Sequence, residues 1–341
     1  MTETTLTILI PVFNEEDGLK PLMTRLAPVL EQTGCLWRVL FVDDGSHDAT
    51  LERLHKLNAE DERLSAISFS RNFGKEIAIA AGLKHASGDV VIIMDADLQH
   101  PPEVIEVFLE RWREGFDIVY GERLDRDADT PLRQFFSRAF YRIYNALVET
   151  DIPKGAGDFR LLNRRAVDAM NQLTETARFN KGLFSWIGFK SVGVPFTVEQ
   201  RLTGTTRWSF RRLASFAIDG LTSFSTIPLR VWSLVGAAVS LFAIIYAIIF
   251  LVGTLAFGAT LPGFPTLIIS VMLLSGIQLI SLGVLGEYLG RVYEEVKGRP
   301  LYIIADRIGV EPDEAQANNN EDRSRAEDVL DRRPRLVRKT S

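Results

Sequence analysis

Among 341 residues there is one cysteine, and there are four histidines. Cys35 alone excludes an internal disulfide and any cysteine-built metal centre, and reads as a buried, inert thiol. An excess of positive charge is missing too. With 39 basic against 44 acidic residues the net charge is -5, so no generic polyanion-binding surface is indicated and nucleic acid is not an expected partner. Neither G-x-x-x-x-G-K-[ST] nor G-x-G-x-x-G follows the first apolar run, which disfavours Walker-type ATP hydrolysis and dinucleotide redox chemistry. The first residues lack a signal peptide's basic and apolar regions, the chain entering an expected strand by about Leu6. No internal repeat is visible.

Charge is absent altogether over residues 231–257 and again over 258–286, until Glu287. A bilayer core takes about 20 apolar residues as helix, and Gly258, Pro262 and Gly263 make a turn that divides this stretch into spans at 231–257 and 264–285. Helices packed in a soluble core carry a polar face, and these do not. Arg211, Arg212 and Arg230 precede the spans, Arg291, Lys297, Arg299 and Arg307 follow them, and the turn has no basic residue. Both ends, and the large domain ahead of them, are therefore expected on the cytoplasmic side of a plasma membrane crossed twice.

Strands and helices are expected to alternate through the first part of the chain. Strands are read at 6–13, 37–42, 64–69, 90–94 and 116–120. Helices follow from Asn14, a candidate cap with Glu15 and Glu16 in the first turn, to Leu30; from near Asp48; from after Lys75 to about His85; and after Pro101-Pro102. This order predicts a doubly wound, mostly parallel α/β sheet. Beyond Arg123 the pattern changes. An amphipathic helix is expected over 131–148, a short strand over 158–162, a helix over 164–173 and an extended basic segment over 197–208. A membrane-surface helix over 211–227 follows, with Trp208, Phe210, Phe216 and Phe224 as interfacial anchors. Residues 311–341 are polar and read as a disordered tail.

The most informative stretch is Val90-Val91-Ile92-Ile93-Met94-Asp95-Ala96-Asp97. Five apolar residues in succession cannot alternate in and out, so both faces of this strand are covered, and its carboxyl end is where open α/β sheets bind ligands. Asp95 and Asp97 sit at that rim. Two carboxylates suit Mg2+ or Mn2+, which complete their shells with water and with the oxygens of a diphosphate. Elsewhere the same pair would be a helix cap or a solvated turn. Glu15 and Asp43 or Asp44 fall at the ends of the first two strands, where Asp43 can accept hydrogen bonds from a base or ribose. Arg123, Arg133 and Arg201 lie outside any apolar face and lead toward the spans. Arginine forks match phosphate oxygens in pairs, so these residues are placed to hold a phosphate whose other end is in lipid, or else are ordinary juxtamembrane cations.

Pro11-Val12-Phe13-Asn14-Glu15-Glu16, Val42-Asp43-Asp44-Gly45-Ser46, Asp95-Ala96-Asp97-Leu98-Gln99-His100-Pro101-Pro102-Glu103, Gly157-Asp158-Phe159-Arg160-Leu161 and the region 208–225 resemble the polyprenyl-phosphate glycosyltransferases of the inverting family 2 type. That group includes dolichol-phosphate mannose synthase and the bacterial undecaprenyl-phosphate glucosyltransferases. The resemblance runs from about Thr5 to about Ile304, and the paired spans resemble the bacterial branch most. It implies a GT-A catalytic domain over 1–208, an interfacial helix over 209–229, the two spans within 230–290, a cytoplasmic return segment over 291–310 and the tail. It implies transfer of one sugar from a nucleotide-sugar to a polyprenyl phosphate with inversion, glucose from UDP-glucose being favoured and GDP-mannose or an amino-sugar donor the alternative.

By the same resemblance Asp95, Asp97 and Gln99 hold Mg2+ or Mn2+, and Pro11, Phe13, Glu15, Asp43 and Asp95 bind the nucleotide. Arg123, Arg133, Ser137 and Arg201 hold the acceptor phosphate, and Asp97, Asp158 and Arg201 form the catalytic set. Arg207 stands where the family often has lysine, and His100 where many relatives have aspartate. A processive polysaccharide synthase is disfavoured, because Gly204 stands where its Gln-x-x-Arg-Trp motif needs glutamine. The reading from another class is a membrane-anchored scaffold that binds nucleotide-sugar without transferring it. A homo-oligomer is compatible with the interfacial helices.

Overall fold

The computed structural model describes residues 3–123, residues 156–198 except Ala177, a set of positions between 236 and 256, and residues 263–310. Eight strands form one sheet in the order β7-β5-β6-β4-β1-β2-β3-β8. They are β1 (Thr5–Val12), β2 (Leu36–Asp43), β3 (Leu64–Phe69), β4 (Val90–Ile93), β5 (Ile118–Arg123), β6 (Ala156–Asn163), β7 (Ser191–Phe196) and β8 (Ile304–Ile308). β4, β1, β2 and β3 are mutually parallel; β6 and β8 run against their neighbours, which makes the sheet mixed.

Helices cover both faces. On one side α1 (Leu19–Gln32), α2 (Thr50–Glu60) and α4 (Val104–Arg113) bury Leu22, Leu26, Leu54 and Phe108 against Ile8, Ile10 and Ile92. On the other, α3 (Lys75–His85), α5 (Arg164–Gln172) and α6 (Asn180–Trp186) bury Ile79, Val167 and Phe184 with Leu9, Val91 and Ile93. β1 and β4 thus lose both faces to the core, which is why β4 reads as an unbroken apolar run and β1 as a nearly continuous one.

Several expectations are corrected. Asn14 does not cap a helix: it adopts φ 54°, and the N–H groups of Asn14, Glu15 and Glu16 are donated to Ser46, Thr50 and Asp48. Asn14 Oδ1 accepts the His47 N–H instead of a helix-start N–H, and α1 begins only at Leu19. The fifth strand starts at Ile118 rather than 116 and continues through Gly121 to Arg123, because Asp117 and Ile118 meet the Lys190 carbonyl and the strand then runs beside β7. β7, α6 and β8 were not expected at all.

The second apolar span belongs to α7 (Phe264–Val296), which passes the expected end at 285 by eleven residues. Glu287 closes the uncharged stretch but not the helix, since it pairs with Arg291 one turn on at 3.1 Å. Within α7, Leu273–Val296 is long and apolar enough to cross a bilayer and is not buried in the protein, the one such helix among the described residues. The described positions between 236 and 256 are helical, with Leu241, Phe242 and Ile249 exposed. The last turn of α7 and the chain after it meet the domain. β8 pairs antiparallel with β3, Tyr302 stacks on Phe69 at 5.1 Å, and Glu295 accepts the Thr176 N–H at 3.0 Å. The helices expected over 131–148 and 211–227 and the tail lie outside the described residues, as does the extended segment past residue 198.

Candidate active site

The carboxyl ends of β1, β2 and β4 and the start of α3 enclose a cleft of about 220 Å³. Pro11, Phe13 and Glu15 line it from the first loop, Asp44 from the second, and Asp95 and Asp97 from the loop after β4. Phe13 is 41% exposed, an aromatic face open to a ligand.

The first two loops are laced together. Ser46 Oγ accepts the Asn14 N–H at 2.8 Å, Asn14 Oδ1 accepts the His47 N–H at 2.8 Å, and Glu16 Oε2 accepts the Ala49 N–H at 2.9 Å. Asp43 lies beneath the rim at 1% exposure. Its Oδ1 accepts from Ser46 and its Oδ2 from the Ser68 hydroxyl at 2.7 Å. The residue that reaches the cleft is Asp44, just past this strand, and it also anchors the next loop by accepting the N–H groups of Phe73 at 2.7 Å and Gly74 at 2.9 Å. Burial raises the Asp44 carboxyl above its ordinary range, and those two N–H groups oppose the rise. Gly74, at φ 102°, then turns the chain into α3 so that Lys75 is its first residue.

Lys75 joins two parts of the site that are far apart in sequence. Its Nζ lies 2.7 Å from Asp95 Oδ1 and 2.8 Å from Asp158 Oδ2. Lys181 Nζ approaches the other Asp158 oxygen at 3.9 Å. Desolvation pushes the Asp158 carboxyl up, but Lys75 and Lys181 outweigh it and hold the group well below the ordinary carboxylate range. Desolvation likewise pulls the Lys75 ammonium down, and Asp95 and Asp158 outweigh that, leaving it above the usual lysine range. Arg160, 4% exposed, supports this strand from behind. Its guanidinium donates to the Gly157 carbonyl and lies 4.1 Å over the Phe184 ring, and burial pulls its pKa down to about 10.

The loop bearing Asp95 and Asp97 is clamped by His100. The His100 ring stacks on Phe159 at 4.8 Å and meets Phe196 edge-on, and its Nδ1 accepts the Asp95 N–H at 3.3 Å. Burial lowers the imidazole pKa, in keeping with a neutral ring that accepts at Nδ1. Gln99 donates its backbone N–H to Asp97 Oδ1 at 3.1 Å, and Leu98 between them takes φ 57° with its side chain buried.

Pro11, Phe13, Glu15, Asp95 and Asp97 therefore share the cleft, Gln99 stands in the loop that carries the two aspartates, and Asp158 joins through Lys75. Asp43 lies below them. Arg123 ends β5, exposed, beside Phe196 of β7. Arg133, Ser137 and Arg201 lie outside the described residues. Sequence reasoning gave no role to Lys75, Lys181 or the His100 clamp. One signal was present: a lysine in a helix's first turn opposes the macrodipole, so Lys75 called for anions nearby.

An oxygen-donor metal fits these residues. Asp95 and Asp97 offer carboxylates only, and Asp95 Oδ1 already attracts a cation, the Lys75 ammonium. Among the described residues no group of three or more histidine, cysteine, aspartate or glutamate side chains gathers around a metal position, so a metal held by Asp95 and Asp97 would take its other ligands from outside such a group.

The sequence model of glycosyl transferase family 2 matches residues 7–170. An uncharacterized glycosyltransferase, sll0501, from Synechocystis is 46% identical over 306 residues, 90% of this chain and 96% of that protein. The SfII prophage-derived bactoprenol glucosyl transferase of Shigella flexneri is 40% identical over 299 residues, 88% of this chain and 97% of its own length. Among solved structures, the mannosyltransferase PcManGT from Pyrobaculum calidifontis in complex with GDP-Man and Mn2+ overlays with a TM-score of 0.47 at 17% identity, covering 85% of this chain and 88% of that one. The family model over residues 7–170, with 46% identity over 90% of the chain to the Synechocystis relative and 40% over 88% to the Shigella one, makes the chain a member of glycosyl transferase family 2.

Proposed function

We propose that the protein is a membrane-bound inverting glycosyltransferase that moves one sugar from a nucleoside diphosphate sugar, UDP-glucose by preference, onto the phosphate of a polyprenyl phosphate. The observation that carries this reading is the placing of Asp95 and Asp97 in one cleft on the carboxyl rim of the sheet, with Lys75 of the same cleft bridging Asp95 and Asp158. The acceptor comes from the relatives named as bactoprenol glucosyl transferases, and α7 supports residence in the bilayer that holds such a lipid.

Pro11, Phe13 and Glu15 would bind the nucleotide, with Asp43 below them and Asp44 holding the wall. Asp95, Asp97 and Gln99 would hold Mg2+ or Mn2+, which when bound neutralises the leaving nucleoside diphosphate. In the transfer, an oxygen of the lipid phosphate bonds to the anomeric carbon from the face opposite the diphosphate, and the bond from that carbon to the diphosphate oxygen breaks. The second pKa of a phosphate is about 6, so the nucleophile is already anionic at neutral pH and needs aiming more than deprotonation. Asp158, kept ionised by Lys75 and Lys181, would lie near the reacting sugar. Arg123, Arg133, Ser137 and Arg201 would receive the acceptor phosphate, holding two anionic partners together.

Membranes carrying the protein test this with radiolabelled UDP-glucose, UDP-GlcNAc and GDP-mannose, each with undecaprenyl phosphate. One donor is expected to give a lipid-linked sugar that chelation abolishes. Nucleotide binding with no lipid product from any donor would replace transfer by the scaffold reading.

A further inference from the structure

We propose that Lys75 is an internal counter-cation that makes metal loading depend on the donor's diphosphate. The inference rests on the reading of the cleft as a metal and nucleoside-diphosphate site. It concerns the order in which the parts assemble.

Lys75 is not a loose surface lysine. Asp44 fixes the two residues before it through their N–H groups, Gly74 makes the turn, and the ammonium then lies within 2.8 Å of carboxylates 20 and 83 residues away in sequence. The first turn of a helix is an unfavourable place for a cation, so the two carboxylates are what keep it there. The position it takes is on Asp95, one of the two carboxylates available to a metal. With Lys75 in place, the pair Asp95 and Asp97 presents one net negative charge to an arriving dication, and no third acidic or imidazole ligand gathers there among the described residues.

A nucleoside diphosphate changes this balance. It brings several oxygen ligands and at least two negative charges, enough for both the dication and the ammonium. Divalent ions of this class are usually bound by one or two carboxylates plus substrate phosphates. Lys75 can then release Asp95 to the ion while keeping Asp158. The protein alone would hold metal weakly, and metal and nucleotide would each tighten the other by the same factor, as linkage requires.

The test is Mn2+ binding by the full-length protein in nanodiscs, followed by electron paramagnetic resonance with and without UDP and, in parallel, GDP. In the wild type one nucleotide is expected to tighten Mn2+ by about 10- to 100-fold. Lys75→Gln is expected to bind Mn2+ alone about tenfold more tightly than the wild type, since a charge a few ångströms from the ion is gone, and to lose most of the nucleotide effect. Lys75→Arg, which keeps the charge, should keep the coupling. If Lys75→Gln binds Mn2+ alone no better than the wild type, the inference is overturned while the metal and nucleotide reading stands. If the wild type binds no Mn2+ with either nucleotide, that reading falls and the inference with it. Should Lys75→Gln fail to fold, the wild type decides: equal Mn2+ affinity with and without nucleotide refutes the proposal.

Discussion

Replacing Asp158 by asparagine removes the anion that Lys75 and Lys181 approach and whose charge Arg160 also feels. The side chain is 13% exposed and Lys75 is 42% exposed, so the Coulomb share of that contact is screened and most of the loss lies in the 2.8 Å hydrogen bond, worth about 1.5–3 kcal/mol when charged. Arg160, at 4% exposure, loses the carboxylate that most favours its charge, and removing one member of a buried charge group costs up to about 3–5 kcal/mol. A loss of about 3 kcal/mol follows, or about 6–12 °C in Tm for a domain of this size. The loss should depend on pH in a defined direction. Because the folded-state pKa of Asp158 is depressed, its stabilisation is fully present above the unfolded value near 3.9 and is lost as pH falls through the folded value. Thermal melts of the purified full-length protein should therefore show the full gap between wild type and Asp158→Asn from pH 7 down to about 5, narrowing below about 4. A gap that is absent at pH 7, or that widens as the solution is acidified, would refute the ion network as the support of this site.

Two further outcomes follow from the loops behind the cleft. Asp44→Ala removes the acceptor for the Phe73 and Gly74 N–H groups. Those two amides should exchange with deuterium at least about tenfold faster while β1 and β4 amides are unchanged, and equal protection would show that Asp44 does not hold the α3 loop. Gly45→Ala places a Cβ 2.4 Å from the Arg71 carbonyl carbon at a residue with φ 71°. Left-handed strain of about 1–2 kcal/mol adds to overpacking of about 1–3 kcal/mol, so the melt should fall by several degrees; an unchanged Tm would mean that the two loops are not in contact.

The parts of the fold legible in the sequence are those written in local pattern. β4 and its rim aspartates could be read because a strand buried on both faces must be continuously apolar. β3 and α3 emerged at the expected residues. What the pattern hid is set by contacts distant in sequence. Asn14 has the chemistry of a cap, but its side-chain oxygen is committed to the His47 N–H, 33 residues on. β7 contains Gly193 and Pro195, which mask a strand, and Pro is tolerated at a sheet edge. β8 is five residues long and exists by pairing with β3 across most of the chain. The end of α7 was misplaced because Glu287 ends the apolar run, whereas an exposed helix continues readily through a Glu-Arg pair. In the site, the aspartates were visible as a spaced pair, but Lys75 gains meaning only once α3 brings it between β4 and β6.

The central claim is that the carboxylates after β4 drive transfer of a sugar to a lipid phosphate. The measurement that tests it most directly compares the wild type with Asp97→Asn in one assay: formation of lipid-linked sugar from the accepted donor and undecaprenyl phosphate, alongside nucleotide binding by the same preparations. The account predicts that nucleotide still binds and that product formation falls by about 10²-fold or more. Lipid-linked sugar made by Asp97→Asn at the wild-type rate would contradict it.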